Sequence, residues 1–154
     1  MKHLQDVIAE HPFFQDLESA HLALVTGCAK MASFKSGEFL FRYGGAAEHF
    51  FLLRHGRVSL EITAPGRETF RFQTVGPGEV IGWSWLFEPH QAQFDARAVD
   101  DVSVIQFDGK CLRGKCEADA ALGYNLMKRF ARVLVQRFTD TRLQLMDVYG
   151  KQTR

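Results

Sequence analysis

The sequence predicts a mainly β fold, a double-stranded β-helix of jelly-roll-like (β-roll) form, with short N-terminal helices before it and a long C-terminal helix after it. Three observations predict it. Between Ala32 and Asp108, short apolar runs are separated by glycine-bearing turns about every eight to twelve residues, as in antiparallel sandwiches and rolls. The segment before this has the three-and-four spacing of short amphipathic helices. The segment after it keeps one apolar stripe for about 30 residues, which at 1.5 Å per residue spans roughly 45 Å. No strand–helix–strand alternation is present, so a doubly wound sheet is not expected.

Residues 1–32 read as helical. Leu4, Val7, Ile8 and Phe13 form a stripe, Pro12 interrupts it, and Leu17, Leu22, Val25 and Ala29 resume it. Two or three short helices fit, one of them starting at Leu17–Ser19.

Residues 33–108 read as the roll. Ser36–Gly37 and Gly44–Gly45 bracket an apolar strand, and His55–Gly56 separates two further strand-like runs. Val58, Leu60 and Ile62 alternate with Arg57, Ser59 and Glu61, the period of a strand with one buried face. Pro65–Gly66 and the GPG at 76–78 turn the chain again, with Phe70, Phe72 and Thr74 on one face of the run between them. FDARAVDDVSVIQFD supplies two more strands.

Residues 109–150 read as helical again. DGKCLRGKCEAD gives a short helix and a turn. A long helix follows, with Leu122, Leu126, Phe130, Val133, Leu134, Phe138, Leu145 and Val148 near one wide face. A helix this long outruns a small roll, so either it folds back on the roll or part of the stripe stays uncovered by its own domain, which points to a homodimer seam. Arg129, Arg132, Arg137 and Arg142 are expected on a solvated face.

Composition narrows the function classes. The chain has 154 residues, 46% of them hydrophobic, and a formal charge of +1 from 19 basic and 18 acidic side chains. This suits one domain, 1–154, with its own core and with no electrostatic bias toward nucleic acid or anionic membrane. No apolar run approaches the roughly 20 residues of a membrane span, and the N-terminus lacks a signal-peptide core. Three cysteines do not suggest a disulfide framework, Cys28 reads as a small buried hydrophobe, and a reducing cytoplasm is the expected compartment. None of the six histidines is spaced three or four residues from another His or a Cys, so no metal site is expected. Glu79, Glu88 and Asp95 surround the Gly78–Ala98 segment without any accompanying catalytic motif, so an enzyme is not expected.

The order and spacing of the glycines carry a resemblance. Gly37–Glu38, Gly44–Gly45, Phe50–Phe51 and Gly56-Arg57-Val58 resemble the front half of a cyclic nucleotide-binding domain of the catabolite activator type. GPGEVIGWSWLF resembles the opening of that family's phosphate-binding cassette, here 78–98, and ARAVDDVSVIQFD the strands after it. The resemblance covers roughly residues 10–140. It implies a β-roll whose cassette binds a cyclic nucleotide, with a Glu accepting from the ribose 2′-hydroxyl and an Arg pairing with the phosphate. Transcription factors of the family carry a helix-turn-helix domain after the long helix. This chain ends four residues past Gly150, so no helix-turn-helix domain is expected.

The cassette departs from the family pattern. Aligned without gaps, Trp83 stands at the Glu position, Ala92 at the Arg position, Gln93 at the following small hydroxyl position, and Phe94 where Ala is usual. Two lost contacts to charged groups, at about 1.5–3 kcal/mol each, correspond to roughly two to four decades of affinity. A cyclic nucleotide is thus the implied ligand, and weak affinity for it is expected. The candidate ligand contacts are Gly82, Trp83, Ser84, Ala92 and Gln93. A short helix opening at Gly82 would aim backbone N–H groups at one point. Trp83 and Trp85 serve either as packing between the cassette and the roll or as a stacking surface for a ring. Arg97 is expected to face outward with Gln93 and Asp95 and to pair with a surface carboxylate.

The expectation is a non-catalytic sensory module. It binds a small ligand, standard or non-standard, and signals through the C-terminal helix to a second copy or a protein partner, with no nucleic acid or membrane partner. The alternative is a ligand-free interaction subunit, its pocket plugged by Trp83 and Phe94.

Overall fold

The computed structural model describes residues 3–152, with side chains described through residue 147. Short helices α1 (Leu4–Glu10) and α2 (Ser19–Thr26) flank a 3-10 turn at Pro12–Phe14, where proline starts a new turn but cannot continue the first helix. β1 (Ala29–Phe34) begins inside the region read as helical. Helix α2 stops at Gly27, and Met31, on the new strand, is left exposed.

The remaining strands are β2 (Phe39–Phe41), β3 (His49–His55), β4 (Val58–Thr63), β5 (Thr69–Val75), β6 (Val80–Ile81), β7 (Asp95–Ala98) and β8 (Val102–Asp108). They form two antiparallel four-stranded sheets, ordered β1-β8-β3-β6 and β2-β7-β4-β5. The mainly β roll with flanking helices is therefore as expected. Helices α3 (Gly109–Ala118) and α4 (Ala120–Gln152) follow. The Asp108 carboxylate caps α3 by accepting from Cys111 N–H at 2.9 Å.

Strand β3 organises both cores, because its FFLL run is buried on both faces. Phe50 and Leu52 face the helices, where Phe50 stacks on Phe107 at 4.5 Å and Phe14 and Phe130 close the cluster. Phe51 and Leu53 face the second sheet and meet Leu60, Phe94, Ala96 and Val104. The turn after β3 requires glycine. Gly56 has φ of 85°, and a Cβ there would lie 2.5 Å from the Asp101 carbonyl oxygen.

Period two holds only part-way along β4. Val58 and Leu60 are buried as expected, but Ile62 and Phe70, paired across the β4–β5 hairpin, are 47% and 59% exposed. The hairpin runs past the sheet-to-sheet core, and a register shift between Leu60 and Glu61 breaks the alternation. Ser59 and Glu61, read as the solvent face, are buried instead. Glu61 Oε2 accepts from Ser59 Oγ and from Arg97 Nη2, each at 2.8 Å.

Two further expectations are corrected. Cys28 and Cys111 form a disulfide between the end of α2 and the first turn of α3, with Cα atoms 5.9 Å apart. An odd cysteine count leaves room for one bridge plus free Cys116, and a separation of 83 residues gives no local spacing signal. Arg137, read as solvated, is 6% exposed, and Arg129 is half-buried. Both donate to backbone carbonyls, of Val80 and Phe13 respectively.

Helix α4 divides lengthwise. Leu122, Leu126 and Phe130 are fully buried against the roll and the N-terminal helices. Beyond them Val135, Phe138, Leu143, Leu145 and Met146 are exposed by half or more. Val148, the last residue of the predicted stripe, lies outside the residues whose side chains are described. No described helix is long and apolar enough to cross a membrane.

Candidate functional site

The cassette begins where β6 ends. Gly82 has φ of 93°, and a Cβ there would press to 3.3 Å from the His49 carbonyl oxygen, so only glycine lets the chain turn against β3. The helix that follows is a single 3-10 turn, Ser84–Leu86. Its dipole is slight, so the focused N–H cluster expected at Gly82 is not formed on an α-helix.

The two tryptophans diverge. Trp85 is fully buried, stacks on Phe50 at 5.1 Å and meets Phe130 of α4 edge-on at 5.5 Å. Its carbonyl accepts from Arg113 of α3. Trp85 is therefore the packing residue that ties cassette, roll and long helix together. Trp83 is half-buried and lies on the other side, against Phe94 at 5.1 Å.

Beside Trp83 and Phe94 opens a cavity of about 280 Å³. All five predicted contacts, Gly82, Trp83, Ser84, Ala92 and Gln93, line it, and Phe94 lines it too. Phe94 is 5% exposed, held among Phe41, Phe72 and Trp83, so it forms wall rather than plug. Ala92 exchanges backbone hydrogen bonds with Gly44 and Gly45, which fixes the far wall.

Sequence reasoning missed the opposite wall. Arg42 and Glu48, from the loop between β2 and β3, and His49, at the start of β3, also line the cavity. Arg42 lies over the Phe39 ring at 4.1 Å, with its Nε 3.8 Å from Asp95. The only advance signal was Arg42 beside the Gly44–Gly45 turn. Asp95, expected to face outward, is 7% exposed and accepts from Tyr43 N–H at 2.7 Å. Arg97 does pair with a carboxylate, but with buried Glu61 rather than one at the surface, and it does not line the cavity.

A family model described as the cyclic nucleotide-binding domain matches residues 31–119, more than half of the chain. The chain belongs to the cyclic nucleotide-binding domain family. Among curated relatives, a CRP-like cAMP-activated global transcriptional regulator of Mycobacterium tuberculosis is 24% identical over 94% of the chain. The chain spans 63% of that relative's length. Among solved structures, a protein of Geobacter metallireducens named for cyclic nucleotide binding is 28% identical, with a TM-score of 0.79 over 89% of this chain and 99% of that one. A cyclic nucleotide-binding domain from Methylobacillus flagellatus shares the fold, with a TM-score of 0.80 at 16% identity, over 93% of this chain and 83% of that one.

The cassette side of the cavity offers aromatic faces, the Ser84 hydroxyl and the Gln93 amide, while the charged lining groups, Arg42 and Glu48, come from the opposite wall. The residues present do not reproduce a cassette Glu and Arg set around a ribose phosphate. Among the described residues, no group of three or more His, Cys, Asp or Glu side chains is arranged to hold a metal ion.

Proposed function

We propose that this domain is a non-catalytic sensory module that takes a small ring-bearing ligand into the 280 Å³ cavity and passes the event to α4. The single observation carrying this reading is that the cavity stays open although Trp83 and Phe94 occupy cassette positions that are charged or small elsewhere in the family. Its volume lies just below the roughly 300–1,000 Å³ typical of ligand sites, which favours a compact ligand. Stacking on Trp83 and Phe94 would hold the ring. Ser84 and Gln93 would orient it, and Arg42 and Glu48 would meet its polar edge.

Transmission follows from Trp83 itself. The Arg137 guanidinium of α4 lies 5.5 Å from the Trp83 ring centre. A ligand that shifts Trp83 therefore biases α4, whose exposed apolar half we assign to a second copy of this chain. Regulation of a partner protein through the dimer belongs to the same reading.

The test is calorimetric titration with cyclic AMP and cyclic GMP to millimolar concentration, on the native protein and on Ser84→Trp, which fills the cavity. Weak saturable binding that Ser84→Trp abolishes supports the reading. Binding untouched by Ser84→Trp overturns the cavity assignment. No binding of either nucleotide overturns them as ligands and favours the interaction subunit.

A further inference from the structure

The disulfide joins Cys28, just past the end of α2, to Cys111, the third residue of α3, and leaves Cys116 free. It borders a cavity of about 290 Å³ that both cysteines line, together with Lys30, His49, Gln106 and Asp108. Cys28 is 7% exposed and Cys111 is half-buried, so a small molecule entering this cavity meets the Cys111 sulfur first. The segments that the bridge joins are also held without it. Asp108 N–H donates to the Cys28 carbonyl at 2.9 Å, and Lys115 Nζ donates to the Leu24 carbonyl at 2.7 Å. Cys28 sits in the larger core cluster, and a domain of 154 residues with such a core does not need one staple to fold. The bridge can therefore open while the domain stays folded.

The turn it pins reaches the cassette. Gly109 N–H donates to the Glu48 carbonyl at 2.8 Å, and Arg113 donates to the Trp85 carbonyl. Glu48 lines the cassette cavity, and His49 lines both that cavity and the one beside the bridge. We propose that Cys28 and Cys111 form a reversible thiol–disulfide switch, set by a low-molecular-weight thiol of the glutathione class, that pins or frees the first turn of α3. A thiolate of the reductant attacks Cys111 Sγ. A mixed disulfide forms there, and Cys28 leaves as a thiolate and takes up a proton. A second reductant thiolate attacks the reductant's own sulfur in the mixed disulfide, and Cys111 leaves as a thiolate and takes up a proton. Two reductant thiols are thus oxidised to one disulfide, and the protein disulfide gains two electrons and two protons. Oxidation runs the same steps in reverse, with the reductant's disulfide as the electron acceptor. The first turn of a helix, with Lys30 and His49 lining the same cavity, favours Cys111 as the leaving thiolate, while the Asp108 carboxylate, which already accepts from Cys111 N–H, opposes it. Cys116 stays out of the exchange. It lies against α4, where a Cβ on Gly123 would come within 3.3 Å of its own, and burial, with Glu117 and Asp119, raises its pKa above the ordinary 9.0. The switch acts whether or not the cassette cavity holds a ligand.

The experiment equilibrates the native protein in glutathione buffers that run from reduced to oxidised. Thiols are alkylated under denaturing conditions and located by peptide mass spectrometry, and amide hydrogen exchange is followed in the same buffers. Cys28 and Cys111 are expected to convert together and reversibly, with Cys116 alkylated throughout and far-UV circular dichroism unchanged. Reduction is expected to speed exchange over Gly109–Arg113 by roughly tenfold relative to β8. The double variant Cys28→Ala, Cys111→Ala is expected to exchange fast in every buffer, and Cys116→Ser to respond as the native protein does. A bridge that resists every buffer until the protein unfolds is a permanent staple and overturns the switch. So does a pair that stays reduced in oxidised glutathione, a loss of far-UV signal on reduction, or exchange in α3 that is the same in both states. A response that survives in the double variant, or is lost in Cys116→Ser, overturns the assignment to Cys28 and Cys111.

Discussion

The guanidinium of Arg137 lies 5.5 Å from the centre of the Trp83 ring and donates to the carbonyl of Val80. One side chain of the long helix thus holds both the strand that leads into the cassette and the aromatic wall of the cavity. Removing it by Arg137→Gln should loosen β6. A hydrogen bond to a charged group contributes about 1.5–3 kcal/mol, so amide exchange at Ile81 and Gly82 should speed by roughly tenfold or more relative to β8. Unchanged exchange would mean that α4 does not brace the cassette.

Arg97 has a structural task. Its Nη2 donates to Glu61 Oε2 at 2.8 Å, and Glu61 is 2% exposed. Arg97→Ala leaves that buried carboxylate with Ser59 and a distant Arg71, whose Nε is 3.9 Å away. The expected cost is about 2–4 kcal/mol of unfolding free energy, near the range for breaking a buried pair. Chemical denaturation measures it, and calorimetry should find ligand affinity unchanged, since Arg97 does not line the cavity.

His11 makes stability pH-dependent. Its Nδ1 accepts from Phe13 N–H, so Nε2 carries the proton and pairs with the Leu53 carbonyl, each at 3.2 Å. Burial, aided by Arg54, lowers its pKa below the ordinary 6.5, although the Leu53 bond works the other way. The unfolded chain therefore binds more protons between the depressed pKa and 6.5, and stability rises with pH there. This contribution is complete above 6.5 and is lost as pH falls through the folded pKa. Melting temperatures from pH 7.5 to 5 should fall more steeply for the native protein than for His11→Gln. Parallel curves would remove His11 from the account.

The uncovered half of α4 should carry self-association. Phe138 is 67% exposed and Leu145 55%. The double variant Phe138→Glu, Leu145→Glu places four like charges in a two-fold seam, which is expected to convert a dimer to monomer in sedimentation equilibrium while leaving the roll folded. A native protein that sediments as a monomer at tens of micromolar would contradict the assignment.

Much of the architecture was legible because it is written in local chemistry. Gly56 and Gly82 need positive φ, FFLL has the continuous apolar character of a doubly buried strand, and Pro12 cannot continue the helix before it. The five cassette positions come together because a turn, a short strand and a loop leave little freedom between Gly78 and Ala98. What stayed hidden depends on distant partners. Glu61 looked solvent-facing because its partner Arg97 lies 36 residues away. Arg137 looked solvated because nothing near it in sequence marks the Val80 carbonyl. Cys28 and Cys111 gave no spacing signal, and Arg42 enters the cavity from a wall that only the folded roll supplies.

The open cavity lacks the charged cassette contacts that the family resemblance implies, with Trp83 and Ala92 in their places. The direct test is calorimetric titration of cyclic AMP into the native protein and into Trp83→Glu, Ala92→Arg, which restores both charges. Two charged hydrogen bonds correspond to roughly two to four decades. The expected result is sub-millimolar or weaker affinity for the native protein and a gain of at least about a hundredfold in the variant. Native binding at tens of micromolar or tighter, or a variant with no gain despite a native fold, would contradict the claim.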